Sequence, residues 1–273
     1  MLKITNLSVS FSKKNILKNI NLNVKKGEIV GLIGNNGTGK TTLMKAILGL
    51  IKYNGEIEFQ GSTNFQKNSF EMQRIGMLLQ EDTYLNLNAL QTLTMIEILN
   101  NMSFKENYVN ILDGYSLPYK RKVKEFSFGM KQRLRLAIVL NYPYDLLILD
   151  EPYVGLDPLG VLKLQEKLLD LKNNGVSVII SSHQLSEIDG MCDRFVYLSD
   201  GKLTETEKLI SKKIILNFDS FDNLERIKNV TGVNINNKEL ILNNNTELLY
   251  DVLSMFKKEE MKKIELKINQ YIE

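Results

Sequence analysis

The sequence predicts an α/β fold built on a parallel sheet, with an antiparallel β layer before it and a small α+β domain after it. Three short and mainly apolar runs, at 29–33, 146–149 and 176–180, alternate with segments of helical spacing. This pattern is typical of buried parallel strands joined by helices. Glycine or polar residues follow each run. Because ligands bind at the carboxyl ends of the strands in such sheets, we expect a functional site there.

The antiparallel layer is predicted from alternating residues near the N-terminus. Residues 2–11 alternate apolar and polar side chains, and residues 20–24 do so again after a turn at 13–15. Such alternation indicates half-buried strands. Residues 53–59 return to this layer as a third strand by way of an Asn-Gly turn at 54–55. The N-terminal part of the chain therefore combines an antiparallel layer with the first strand of the parallel sheet.

A helical subdomain is predicted over about 82–140. The short apolar strand 75–79 leads to Gln80. A stripe of apolar residues then predicts helical structure from about 88 to 113, and Ser127 begins another helix. This region separates the first strand of the parallel sheet from the second.

The first domain is predicted to span residues 1–205. Its last elements are a helix over 158–173 and a hairpin whose turn is Ser199-Asp200-Gly201. From 206 to 273 the sequence is rich in Lys, Asn and Glu and still has alternating order. Its predicted elements follow the β-α-β-β-α-β order of a ferredoxin-like domain: strand 214–218, helix 220–228, strands 230–235 and 239–243, helix 246–257 and strand 262–268.

Composition excludes several classes of protein. With 273 residues, 43% of them hydrophobic and 25% charged, the chain can form a sizeable core. A net charge of +3 is too small to argue for nucleic-acid binding. The single cysteine, Cys192, excludes an internal disulfide and is expected to be buried. No signal peptide and no apolar run of about 20 residues is present, so we expect a cytosolic protein without direct membrane insertion.

One basic run, 120–124, has two interpretations. Such a run is usually a solvated face of the protein. The alternative is a surface that contacts a partner or lipid headgroups.

The strongest motif is a glycine-rich loop between the strand 29–33 and a helical segment. Glycines let the backbone N–H groups point inward around an anion, and the helix N-terminus adds positive potential. Lys40 is expected to reach the β- and γ-phosphates of a nucleotide, and the Thr41 hydroxyl to ligate Mg²⁺. A glycine-rich turn that matches by chance is the alternative. The loop reads Gly34, Asn35, Asn36, Gly37, Thr38, Gly39, Lys40, Thr41 and Thr42.

Further polar residues follow other strands of the predicted sheet. Asp150 and Glu151 come directly after the strand 146–149. Because side chains alternate along a strand, Asp150 can face Mg²⁺ while Glu151 faces the water beyond the γ-phosphate. Gln80 and His183 also sit at strand ends and can reach the same centre. For His183 alone, a hydrogen-bonded structural histidine is the alternative.

These motifs together resemble the nucleotide-binding subunit of ATP-binding cassette (ABC) transporters, over residues 1 to about 205. The loop resembles Walker A, and 146–151 resembles Walker B with its catalytic glutamate Glu151. The segment 155–157 resembles the D-loop, which includes Asp157. Residues 126–130 stand where the family has its L-S-G-G-Q signature, and they depart from it at Phe126, Phe128 and Met130.

The resemblance implies roles for further residues. Phe11 would stack on adenine, with simple packing at a strand end as the alternative, and Gln80 would sense Mg²⁺ and the membrane partner. His183 would be the switch histidine. Ser127 and Gly129 would bind the γ-phosphate of ATP held by the other subunit. Phe128 places a bulky side chain where the family usually has a glycine.

The implied protein is an α/β ABC ATPase with ATP and Mg²⁺ as cofactors. Two cassettes, identical or paralogous, would face each other head to tail around two ATP molecules and drive a permease on a separate chain. The subunit would therefore sit at the cytoplasmic side of the cell membrane. The Ser127–Arg133 variant of the signature resembles that of bacterial exporters of antibiotics, lantibiotics and peptide toxins. The alternatives are a non-transport cassette that acts on ribosomes or DNA, and a P-loop kinase or GTPase.

Overall fold

The computed structural model describes residues 1–11, 14–78, 85–100, 103–183, 188, 190–206, 210–218, 233–236, 239–243, 255 and 264–272. The chain divides into two compact units, Met1–Thr206 and Glu207–Glu273. The strands are β1 Leu2–Phe11, β2 Lys14–Val24, β3 Ile29–Ile33, β4 Asn54–Phe59, β5 Ile75–Leu78, β6 Leu146–Leu149, β7 Ser177–Ser182, β8 Arg194–Ser199, β9 Lys202–Thr206, β10 Ile210–Phe218, β11 Val233–Asn236, β12 Glu239–Asn243 and β13 Ile264–Ile272. The α-helices are α1 Lys40–Ile47, α2 Ser69–Met72, α3 Ala89–Asn100, α4 Tyr108–Gly114, α5 Phe128–Leu140 and α6 Pro158–Asn173.

The main sheet confirms the predicted parallel core. Its strand order is β5-β6-β7-β3-β8-β9, and all neighbours pair in parallel except the β8–β9 hairpin. Every residue of β3, β6 and β7 is buried. Because β6, β7 and β3 are adjacent and parallel, their carboxyl ends lie side by side, which positions the groups that follow them.

The antiparallel sheet has the order β2-β1-β4. The prediction of an Asn-Gly turn at 54–55 is wrong, because both residues lie inside β4. Gly55 has φ +105°, and a Cβ there would come within 2.5 Å of the carbonyl oxygen of Asn6, which itself has φ +51°. The β1–β4 register shifts at this point, between Thr5 and Ser8. Asn6 and Leu7 of β1 therefore form a bulge opposite Gly55 of β4, and the positive φ of Asn6 is typical of such a bulge.

The helical structure predicted over 88–113 consists of two helices, α3 and α4, and residues 103–107 between them are not helical. Glu97 of α3 accepts hydrogen bonds from the Phe104 N–H, at 2.6 Å, and from the Tyr108 hydroxyl. Asn107 caps α4 by accepting from the Val109 N–H at 2.8 Å. Both helices pack on the same hydrophobic cluster, so the spacing of apolar residues continues across the break. The apolar spacing alone therefore does not reveal where α3 ends.

The first turns of α5 and α6 begin as their sequences predict. Ser127 caps α5 by accepting from the Met130 N–H at 3.3 Å. Asp157 caps α6 by accepting from the Gly160 N–H at 2.7 Å. Side-chain acceptors at these positions satisfy N–H groups that have no partner within the helix.

The second unit contains a four-stranded antiparallel sheet with the order β11-β12-β10-β13. This order and pairing are those of the ferredoxin-like sheet. The helix predicted at 220–228 lies outside the described residues. Of 246–257 only Met255 is described, in a turn, so both helices stay a prediction.

Three smaller expectations have mixed outcomes. Cys192 is half-buried rather than buried. In the basic run 120–124 the four cationic side chains are exposed around the buried Val123, as on a solvated face. No helix among the described residues is long and apolar enough to cross a bilayer.

Asp193 joins the start of β3 to the end of α6. Its carboxylate accepts from the Ile29 N–H at 2.9 Å and from the ammonium group of Lys172. Partial burial raises the pKa of Asp193, but these hydrogen bonds and the charge of Lys172 outweigh burial and hold the pKa below its ordinary value. The contact therefore stabilises the fold above the unfolded pKa of Asp, and this contribution is lost as the pH falls through the lower folded pKa.

We expect Asp193→Asn to lower the free energy of unfolding by about 1 kcal/mol near neutral pH, because the pair is partly screened by solvent. Urea titrations from about pH 7 to about pH 3 should show this deficit shrinking as the wild-type carboxylate is protonated. Lys172→Met should show the same trend, and the double variant should lose less than the sum of both. A deficit that does not change with pH would contradict a charge effect.

Candidate functional site

The glycine-rich loop runs from β3 into α1 and is shaped by close backbone approach. A Cβ on Gly34 would lie 2.6 Å from the carbonyl oxygen of Leu198, and Gly39 has φ +111°. The Thr38 hydroxyl donates to the Asn35 carbonyl at 2.9 Å. At these glycines the backbone conformation and packing leave no room for a larger residue.

Lys40 is the first residue of α1 and is buried, with 6% of its surface exposed. Its ammonium group donates to the Gly34 carbonyl at 2.5 Å. It also lies 3.4 Å from Oε1 of Glu151. The lysine thus reaches back across the loop, where a buried cation can bind an anion such as phosphate.

Asp150 follows β6 and is also buried, at 5% exposure. Its Oδ2 accepts from the Thr41 hydroxyl at 2.6 Å, and its Oδ1 accepts from the Ser181 hydroxyl at 2.6 Å. The carboxylate therefore connects the end of β6 to α1 on one side and to β7 on the other. Thr41 and Asp150, which the sequence analysis each assigned to Mg²⁺, are therefore in direct contact.

Glu151 is held in a strained conformation beside Asp150. Its φ is +47°, which a residue with a side chain rarely adopts, and its N–H donates to the Ser181 hydroxyl at 2.9 Å. Oε2 lies 2.8 Å from Nδ1 of His183, which donates when the glutamate is ionised. Oε1 is buried and has no hydrogen-bond partner among the described residues, since Lys40 at 3.4 Å offers charge without hydrogen-bond geometry.

These groups open into one cavity of about 620 Å³. It brings together one cation, two carboxylates, a histidine and the N-terminus of α1 beside an exposed aromatic ring. Such a site can hold a phosphate chain at the loop and a planar base at the ring. The cavity is lined by Phe11, Ile16, Asn35, Asn36, Gly37, Gly39, Lys40, Thr41, Thr42, Asp150, Glu151, Val154 and His183.

Three of the other residues predicted for the site are not brought to this cavity. Ser127, Gly129 and Asp157 do not line it, and Gln80 lies outside the described residues. The Ser127 hydroxyl and the Asp157 carboxylate are used as helix caps. Within one chain, the predicted residues therefore form two separate groups.

Comparison with known proteins assigns the family. Residues 17–154 match the family model described as ABC transporter. The lantibiotic transport ATP-binding protein SrtF of Streptococcus pyogenes is 38% identical over 233 residues, which are 84% of this chain and 96% of that protein. The bacitracin transport ATP-binding protein BcrA of Bacillus licheniformis is 39% identical over 75% of this chain and 69% of its own length. The chain belongs to the ABC transporter family.

Solved structures agree with this assignment. An ATP-binding subunit of an ABC transporter superposes with a TM-score of 0.71 at 25% identity, over 92% of this chain and 99% of its own. A dimeric ATP-binding cassette bound to ADP and phosphate after hydrolysis superposes with a TM-score of 0.66 at 25% identity, over 76% and 98%. The ABC cassette described here is therefore the ATPase subunit of a transporter, as its motifs predicted.

Three residues of the ABC site were missed by sequence reasoning. Ile16 and Val154 line the cavity, and Ser181 joins Asp150 to the backbone of Glu151. Ser181 could have been found from its position at the end of a buried strand two residues before His183, where a hydroxyl needs a partner. Ile16 and Val154 carry no signal of their own because apolar residues are common at strand ends.

We expect Ser181→Ala to lower kcat about tenfold or more, because hydrogen bonds to charged groups are each worth about 1.5–3 kcal/mol. ATP affinity should change little, since Ser181 does not line the cavity. Steady-state ATPase assays and nucleotide titrations measure both quantities. Ser177→Ala is the matched control: it removes a buried hydroxyl from the other end of β7, where Ser177 bonds the backbone of Lys25 and Gly27. Equal kcat losses in the two variants would contradict the assigned role.

Proposed function

We propose that this ABC ATPase works as a head-to-tail dimer of cassettes that closes around two ATP molecules. The proposal rests on the observation that only some of the predicted site residues line the cavity. Lys40, Asp150 and Glu151 line the cavity, whereas Ser127 and Gly129 at the start of α5 do not. A site that lacks these residues in one chain can obtain them from a second cassette, as the dimeric form of a related cassette allows.

Mg²⁺ fits the donors at the loop. Thr41 and Asp150 supply a hydroxyl and a carboxylate oxygen 2.6 Å apart, and the described residues contain no cluster of three or more His, Cys, Asp or Glu that could hold a metal without help. Mg²⁺ is usually bound by few protein oxygens and takes its remaining ligands from water and phosphate. When bound, the ion would neutralise charge on the β- and γ-phosphates. Gln80 would complete the protein ligands.

Glu151 is the proposed general base. Its Oε1 has no hydrogen-bond partner among the described residues and would accept a proton from the attacking water, while the contact of Oε2 with His183 fixes the orientation of the carboxylate. Lys40 would bind the phosphates from its place beside Glu151. Phe11, with 51% of its surface exposed at the cavity, would stack on adenine.

The proposed partner is a transmembrane permease on a separate chain, which would hold the ATPase at the cytoplasmic side of the cell membrane. Helix α3 carries exposed apolar side chains. Ile98 is 73% exposed, Leu99 62% and Met95 39%, and they line a shallow cavity of about 380 Å³. An apolar patch of this kind on a soluble subunit marks a protein contact.

The proposed cargo is a peptide antibiotic or another amphipathic compound, moved outward. This rests on the similarity to the lantibiotic and bacitracin transport proteins SrtF and BcrA, and on the resemblance of the signature at 127–133 to that of bacterial exporters. Purification from membranes tests the assignment, since an integral membrane protein should co-purify with the ATPase. Recovery with ribosomes instead would contradict it.

We expect Glu151→Gln to lower kcat at least about a hundredfold, because a general base contributes about 10²–10⁴. The variant should still bind ATP and should accumulate as an ATP-bound dimer in light-scattering measurements. Glutamine keeps the shape of the side chain and removes its basicity. Turnover at the wild-type rate would contradict the assigned base.

We expect Ile98→Asp combined with Leu99→Asp to abolish co-purification of the permease, because two charges would replace apolar contact area. ATPase activity of the isolated subunit should be unchanged, since neither residue lines the nucleotide cavity. Phe70→Asp in α2, at a side chain 69% exposed, is the matched control and should leave co-purification intact. Retained permease binding in the double variant would exclude this surface as the contact.

A further inference from the structure

The ring of Phe128, at the start of α5, lies against the backbone of Gly155. A Cβ placed on Gly155 would lie 2.6 Å and 2.7 Å from Cε1 and Cδ1 of the ring. Real side chains do not approach so closely, so the ring fills the space that the glycine leaves open. Gly155 also has φ +81°, and it belongs to the turn that follows Glu151.

Two other residues of α5 join the same turn. A Cβ on Gly129 would lie 2.9 Å from the carbonyl oxygen of Gly155. Gln132, with 2% of its surface exposed, donates to the Pro152 carbonyl at 2.8 Å. Because Phe128 and Gln132 are four residues apart, they lie on one face of α5. The start of α5 is therefore attached to the segment 152–155 at two points, by Phe128 and Gly129 at Gly155 and by Gln132 at Pro152.

The position of Phe128 is unlike that of a core residue. Its surface is 57% exposed, whereas Phe126, two residues earlier, is 5% exposed and belongs to the buried cluster of the helical region. A side chain so exposed contributes little to the free energy of folding through burial. The described contact of the ring is instead with a backbone that has no side chain of its own.

We propose that Phe128 is a positioning residue that sets the distance between the start of α5 and the turn 152–155. In this way it would hold Ser127 and Gly129 in place for the nucleotide of the second cassette, a step that rests on the head-to-tail dimer proposed above. A glycine at 128 would leave two glycines facing each other, with no side chain to fix their separation. The ring of Phe128 fills that gap and keeps α5 apart from the turn. The small residue that is usual at this position in the family cannot fill it.

The test measures ATP-driven dimerisation in the Glu151→Gln background by light scattering. Phe128→Ala should raise the dissociation constant of the dimer about tenfold, the size expected when a residue that couples two elements is removed. ATP affinity of the monomer should be unchanged, because Phe128 does not line the cavity. Phe128→Tyr keeps Cδ1 and Cε1 and should restore dimerisation. Phe70→Ala removes an equally exposed ring from α2 and should have no effect.

A second measurement applies to the monomer and does not depend on the dimer. Amide hydrogen exchange at 128–131 and 153–156 should become faster in Phe128→Ala and remain unchanged in Phe70→Ala. If exchange does not change, or if Phe128→Ala dimerises as tightly as its parent, the positioning role is overturned. If the Glu151→Gln parent does not dimerise but exchange responds as expected, the dimer proposal fails while the contact between Phe128 and the turn stands.

Discussion

The carboxylate of Asp150 is the constraint on which the site depends. A buried carboxylate is tolerated only when its oxygens are paired, and here Thr41 and Ser181 each donate a hydroxyl at 2.6 Å. The two donors come from the helix after β3 and from the end of β7, so both bonds require β6, β7 and β3 to be adjacent and in register. The sheet order thus determines where the phosphate loop stands relative to the catalytic segment.

Glu151, which follows Asp150, has a strained backbone conformation. Glu151 adopts φ +47°, a conformation that costs about 1–3 kcal/mol in a residue with a side chain. It is held there by the Ser181 hydroxyl on its N–H and by Lys40 and His183 around its carboxylate. Of the two carboxylate oxygens, Oε2 contacts His183 and Oε1 has no hydrogen-bond partner among the described residues.

Sequence reasoning predicted the parallel strands, the glycine loop and the cavity-lining residues other than Ile16 and Val154, because each has a strong local signal at a strand end. It failed where the same local sequence is compatible with two structures. Gly55 has positive φ and was assigned to a turn, yet it lies within β4 opposite a bulge at Asn6 and Leu7. The break between α3 and α4 is imposed by Glu97, whose bonds to 104 and 108 are tertiary contacts that periodicity does not register. Ser181 was missed for the same reason, since its partners lie 30 and 31 residues away in the chain.

The separation of the two groups of predicted residues follows from the same architecture. Helix α5 begins beside the turn after Glu151, because Gln132 bonds Pro152 and the ring of Phe128 covers Gly155. This attachment is to the backbone that follows the carboxylates and not to the cavity on which they act, so the N–H groups of α5 do not line the nucleotide site of their own chain. Any force on the start of α5 would nevertheless act on the segment that carries Glu151. One short turn therefore connects the start of α5, the proposed contact with a second cassette, with Glu151, the proposed general base.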